Sequence, residues 1–230
     1  MFTRDLLHDG VWTTARDNAD PPVGIHASMR TDSAWLDLKL LFPSSALLDT
    51  RCNPIEQIEH WATLNARPLG QPRYRVARLE DLQNRGCRSQ GVGTLLLNTC
   101  LTILGALCDP TARVWGELSP ESGEARRRAF YEAYGFKVQE PGCTPSNVGR
   151  FPRIEGNLAA LRIPPPNPNR RFSIRLPSPD LWQTGPSTKV EENLMKQLTQ
   201  NAVDGRLTTA DVRHLRHVET QRFPFSRGAG

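Results

Sequence analysis

The chain is short of several features, and each absence removes a class of protein. No apolar run is long enough to cross a bilayer. The longest, around Thr94–Leu107, is broken by Asn98, Thr99 and Thr102. The five cysteines (Cys52, Cys87, Cys100, Cys108 and Cys143) are odd in number and contain no CxxC pair. Zinc-ribbon spacing is therefore absent and a disulfide framework is not expected. There is no GxxxxGK[ST] and no GxGxxG followed by an acidic strand end, so neither a P-loop triphosphatase nor a dinucleotide oxidoreductase is indicated. Internal repeats are missing. Lysine is scarce: Lys39, Lys137, Lys189 and Lys196 are the only ones among 29 basic residues. The N-terminal MFTRDLLHDG has two aspartates and no apolar core of signal-peptide length, so a cytoplasmic protein is expected.

What is present fits a globular protein of 230 residues, 38% hydrophobic and 23% charged. The formal charge of +5 is uneven, with a net of +1 over 1–165 and +4 over 166–230. The excess belongs to the tail and favours anionic partners only weakly.

Alternation predicts strands at Val23–Met29 and Trp35–Phe42, paired as a hairpin, with His26 on a strand surface. Asn53, Pro54 and Glu56 form a capping signal. With Ile55, Ile58, Trp61, Ala62 and Leu64 on one stripe they predict a helix. A strand is read over Tyr74–Leu82, interrupted by Asp81, Gln83 and Asn84. A buried helix over 94–107, a strand over 113–119 and a helix over 124–134 follow. Gly135 stops that last helix where a left-handed residue is wanted. Phe136–Val138 is extended, Glu140–Gly156 a long loop, and Asn157–Ile163 a last strand before PPPNP (164–168). Beyond it come a short strand over Arg170–Leu176, a linker over Pro177–Ser187, and helices over 189–203 and 209–221. The order of elements implies an α/β or α+β fold with a mixed sheet. The chain divides into a domain over 1–165 and a Pro-rich linker with a two-helix tail over 166–230. His214 and His217 lie three apart on the second tail helix with no third ligand in sight, so no metal site is expected.

Two motifs carry chemistry. The first is Arg88-Ser89-Gln90-Gly91-Val92-Gly93, leading into Thr94 and the apolar helix. Gly91 and Gly93 let a backbone approach a ligand closely. The first-turn amides and the helix dipole favour an anion, and Arg88 adds a full charge. Taken by itself the motif is equally an ordinary glycine turn. The second is Phe130-Tyr131-Glu132-Ala133-Tyr134-Gly135-Phe136. With RSQGVG, then RVWGELS, then YEAYGF in that order, the chain resembles the GNAT superfamily of acyl-CoA-dependent N-acyltransferases, closely over Tyr74–Val138 and loosely over 23–163.

The resemblance implies a mixed sheet that splays between the strand before the glycine turn and the strand at 113–119, flanked by helices, plus a C-terminal helical appendage. It implies acetyl-CoA as acyl donor, with pyrophosphate on the amides of Gln90 to Thr94 near Arg88, so that Arg88, Ser89, Gln90, Gly91, Val92, Gly93 and Thr94 form the donor site. Tyr131 matches the tyrosine near the thioester sulfur. Direct attack by an amine needs a base and a donor to polarise the carbonyl, usually a strand amide. Glu117 and Glu80, on the two strands lining the gap, are the candidate bases. Ser119 is a candidate for holding a water, and Tyr134 is read as packing. The acceptor is a small-molecule or protein amine. A toxin acetylating aminoacyl-tRNA is a narrower version that would bring in nucleic acid. A rival from another class is an acyl-CoA-binding or protein-interaction module without efficient catalysis. No membrane partner is implied, and a homodimer is left open.

Overall fold

The structure, a computed structural model, describes residues 2–15, 22–30, 32, 34–43, 58–69, 74–84, 91–119, 123–142, 150–165, 167, 170 and 179–204. Its elements in order are α1 (Arg4–His8), β1 (Val11–Ala15), β2 (Val23–Met29), β3 (Leu36–Pro43), β4 (Ile58–Leu69), β5 (Tyr74–Asn84), α2 (Val92–Leu107), β6 (Cys108–Glu117), α3 (Glu124–Glu132), β7 (Lys137–Gln139), β8 (Arg153–Asn157), β9 (Gln183–Thr184) and α4 (Ser187–Val203).

The strands form one mixed sheet in the order β7-β8-β6-β5-β4-β3-β2-β1-β9. Only β5 and β6 run parallel; every other neighbouring pair is antiparallel. A parallel pair needs a crossover, and α2 supplies it. Along β2, Val23, Ile25, Ala27 and Met29 are buried in the main core with Leu36, Leu38 and Leu40 of β3. Leu95, Leu96, Leu97, Cys100, Ile103 and Leu104 of α2 close that face. The opposite face of β1–β3 carries Trp12 and Leu41, and Val190 and Leu194 of α4 cover them.

Several expectations are corrected. The segment read as a helix from Asn53 to Leu64 is strand β4 from Ile58 onward; Asn53, Pro54 and Glu56 lie outside the described residues. Ala62, Leu64 and Ala66 are buried, while Thr63 and Asn65 between them are only partly so. A short apolar stretch satisfies both periods, and here two antiparallel neighbours claim the backbone. β5 is not interrupted but runs to Asn84. The last core strand is Arg153–Asn157, inside the expected loop, and Leu158–Ala160 is a 3₁₀ turn capped by the Asn157 side chain. His26 is buried, 5% exposed, not at the surface. The stretch expected as a linker over Pro177–Ser187 contains β9, which pairs with β1. Before β1 the chain forms α1, N-capped by Thr3. The expected strand over 171–176 and helix over 209–221, with His214 and His217, fall outside the described residues.

Helix α4 thus seals one sheet face. Leu194 is fully buried there. Leu194→Ala is expected to lower stability by about 2–4 kcal/mol in urea unfolding. A change within about 0.5 kcal/mol would mean that α4 does not hold the sheet.

Candidate acyl-donor cleft

The β5–β6 ladder runs from Tyr74↔Cys108 to Leu79↔Gly116 and stops there. Beyond it β5 pairs only with β4, through Asp81↔Asn65, Leu82↔Leu64, Gln83↔Thr63 and Asn84↔Ala62. Over the same stretch β6 pairs only with β8, through Glu117↔Arg153, and the Leu118 amide donates to the Pro152 carbonyl at 2.8 Å. The sheet therefore opens between the carboxyl ends of its two parallel strands, where open α/β sheets take ligands. Two local features make the split. On the β5 side a bulge falls between Asn65 and Ala66, whose partners are Asp81 and Leu79. Glu80 between them has no ladder partner on β4 or on β6. On the β6 side, a Cβ at Gly116 would stand 2.8 Å from the Leu79 carbonyl oxygen, so only glycine allows the final rung.

Helix α2 begins at this opening. Gly91, its N-cap, has φ +95, a left-handed backbone that side chains rarely adopt. No side chain among the described residues caps it, and the Leu95 amide donates to its carbonyl at 2.9 Å. The amides of Val92, Gly93 and Thr94 are the first of the helix and have no partner within it. Gly93 faces Leu82 of β5 and Phe130 of α3, 3.6 and 3.7 Å from where its Cβ would stand. Gly91, Val92, Gly93 and Thr94 thus lie together at the helix mouth. Arg88, Ser89 and Gln90, with Cys87, lie outside the described residues. One basic residue that sequence reasoning missed is here: Arg170 donates through Nη1 to Thr94 Oγ1 at 3.3 Å. Seventy-six residues separate the two, and no local signal joins them.

Tyr131 lies on α3, 9% exposed, with its ring edge-on to Phe130 and Phe136 at 5.1 and 5.7 Å. Burial, with Cys100 and the Asp81 carboxylate adding to it, pushes its phenol up to about 12. Asp81 belongs to the splayed end of β5, so tyrosine and split are electrostatically coupled. The two candidate carboxylates sit on opposite lips. Glu80 and Glu117 are each the first residue past the last β5–β6 rung. Their surroundings differ: Glu80 is ion-paired with Arg78 at 3.1 Å, whereas Glu117 is exposed and makes no ion pair among the described residues. Between them on the β6 surface Trp115 is contacted by two guanidiniums, Arg78 at 4.8 Å and Arg153 at 4.2 Å. Ser119 accepts Arg127 Nη2 on its main-chain carbonyl at 2.7 Å. Cys100 and Cys108 are buried, and burial pushes the Cys108 thiol to about 12, so it stays a thiol. Among the described residues no group of His, Cys, Asp or Glu is arranged to hold a metal, and no helix is long and apolar enough to cross a membrane.

The fold is similar to solved structures of acetyltransferases, two of them of the GNAT family. One is an acetyltransferase of that family from Staphylococcus aureus Mu50, 15% identical, covering 55% of this chain and 70% of its own, with a TM-score of 0.38. Another is the ribosomal-protein-S18-alanine N-acetyltransferase of Escherichia coli, 19% identical, covering 55% and 68%, with a TM-score of 0.35. No protein-family model matches the chain, and no curated protein does. At this distance only the residues of the cleft carry an argument about chemistry.

The raised Tyr131 phenol has a consequence for stability. The unfolded chain releases that proton near pH 10, and the folded chain holds it to about 12. This contribution is complete below pH 10 and is lost as pH rises through 12. Tyr131→Phe should flatten the alkaline limb of stability by about 2 kcal/mol between pH 10 and 12, measured by denaturant unfolding across that range. An unchanged limb would mean the phenol ionises freely.

Proposed function

We propose that the protein is an N-acyltransferase that moves an acetyl group from acetyl-CoA to an amine by direct attack. The observation that carries this reading is the coincidence of three features at one opening. The parallel ladder ends at Leu79↔Gly116, an uncapped helix N-terminus faces that end, and Tyr131 lies beside it. A split sheet admits an extended thioester arm, and the amides of Val92, Gly93 and Thr94 suit the pyrophosphate at its other end. Arg88 and Arg170 would add charge there.

The residues divide the chemistry as follows. Glu117 is the base that takes a proton from the acceptor ammonium, because it is exposed on the lip and pairs with no arginine among the described residues. Glu80 contributes through its main chain. The bulge leaves Glu80 out of register with both neighbouring strands, and its amide would donate to the thioester carbonyl as charge builds on the oxygen. The amine attacks the carbonyl carbon, the C–N bond forms and the C–S bond breaks. The second nitrogen proton balances the charge on the leaving sulfur. With its phenol near 12, Tyr131 keeps its own proton and stabilises that sulfur by donating a hydrogen bond.

Labelled acetyl-CoA with a broad amine panel tests the reading. Glu117→Gln should lower kcat by about 10²–10³ and remove the acidic limb of its pH profile, whereas Glu80→Gln should change kcat less than about tenfold. Tight donor binding with no amine acetylated, and with Tyr131→Phe without effect, would favour a binding module instead. Thermal stability unmoved by acetyl-CoA would remove both readings. The aminoacyl-tRNA version requires RNA binding that weakens steeply with salt.

A further inference from the structure

Helix α2 is apolar nearly all round, yet Asn98 stands in its second turn, 7% exposed, on a helix whose Leu95, Leu97 and Leu101 are buried. Its partner is Tyr134, 1% exposed. The Tyr134 hydroxyl donates to Asn98 Oδ1 at 2.7 Å and lies 3.2 Å from the Thr94 carbonyl oxygen. The backbone of Tyr134 is equally engaged. Its amide donates to the Tyr131 carbonyl at 3.0 Å, and its carbonyl accepts from the Arg162 amide at 2.9 Å. Thr94 in turn receives Arg170 on its hydroxyl. One tyrosine at the end of α3 therefore ties that helix to the first turn of α2 and to the chain beyond β8.

Packing alone does not call for this pair. Replacing both partners of a buried hydrogen bond by apolar groups of similar shape is nearly neutral for stability. What a hydrogen bond adds is a fixed length and direction, whereas apolar side chains permit two helices to slide past each other. Here the tie lies between two parts of the cleft. Thr94 closes the run of first-turn amides, and Tyr131, near the end of α3, is three residues before Tyr134 in the turn that follows it. We infer that Tyr134, through Asn98 and the Thr94 carbonyl, is a positioning residue that fixes the span between the phosphate-binding amides of α2 and Tyr131. The inference rests on the acyl-CoA reading of the cleft. It assigns Tyr134 a role beyond packing, and it accounts for the buried amide side chain of Asn98.

The experiment uses Tyr134→Phe, Asn98→Leu and the double variant in the full chain. Unfolding temperature is measured for each, together with the affinities for coenzyme A and for pantetheine, which lacks the pyrophosphate. Tyr134→Phe strips Asn98 Oδ1 of its buried donor and should unfold at lower temperature, Asn98→Leu leaves the Tyr134 hydroxyl with the Thr94 carbonyl alone and should cost less, and the double variant should recover most of the Tyr134→Phe loss. Coenzyme A affinity should fall about three- to tenfold in all three variants, the double included, while pantetheine affinity stays level. The inference is overturned if coenzyme A affinity recovers with stability in the double variant. It is also overturned if the two ligands weaken equally, or if coenzyme A binding does not change. A wild-type protein that binds no coenzyme A would instead remove the acyl-CoA reading itself, and the positioning role with it.

Discussion

The whole arrangement depends on one broken ladder. Parallel strands β5 and β6 pair as far as Leu79 and Gly116, and no further. The causes are local and separable. A bulge at Glu80 shifts β5 against β4 just past the last β5–β6 rung, and Gly116 lets the two backbones come close enough for that rung. Past that point each strand keeps its other neighbour, so the sheet opens without leaving either strand unsupported. This is why the polar end of β5 is stable as strand. Asp81 and Gln83 hydrogen-bond to each other at 2.6 Å and face an opening, not a core.

The opening acquires chemical character from what surrounds it. Uncapped amides at the start of α2 give one end a positive potential. At the other end a phenol kept protonated by burial lies within electrostatic reach of Asp81, with a carboxylate on each lip. The two carboxylates are not equivalent. Arg78 is paired with Glu80 while its guanidinium also lies over Trp115, so Glu80's side chain belongs to a surface network, whereas Glu117's makes no ion pair among the described residues. The C-terminal segment contributes as well. α4 covers the sheet face over Trp12 and Leu41, β9 extends the sheet beyond β1, and Arg170 reaches Thr94. The segment beyond PPPNP is joined to both the core and the cleft.

Much of this was legible in the sequence where the signal is local. The glycine turn, the apolar helix after it, the β2–β3 hairpin and the left-handed stop at Gly135 follow from spacing and from the backbone needs of glycine. β4 was misread because Ile58, Ala62 and Leu64 satisfy a helical stripe as well as an alternation. Its two sheet neighbours, not its own residues, choose between them. His26 was misread because burial of its strand face depends on contacts across the chain: a Cβ at Gly10 would lie 2.7 Å from its Nε2. Tyr134 was read as packing, and its partner Asn98 as a mere interruption, because the bond joining them spans 36 residues.

The sequence by itself determined the order of strand, glycine turn, helix, strand and tyrosine-bearing helix, since each is encoded within a few residues by periodicity, capping and glycine. It also determined which side chains are available for chemistry. Only the tertiary structure decided where β5 and β6 part, which of the two carboxylates pairs with Arg78, and that Asn98, Thr94, Tyr134 and Arg170 meet. The physical reason is range. Propensity and patterning act along a few residues, whereas ladder termination, ion pairing and burial depend on groups that folding brings together from distant parts of the chain.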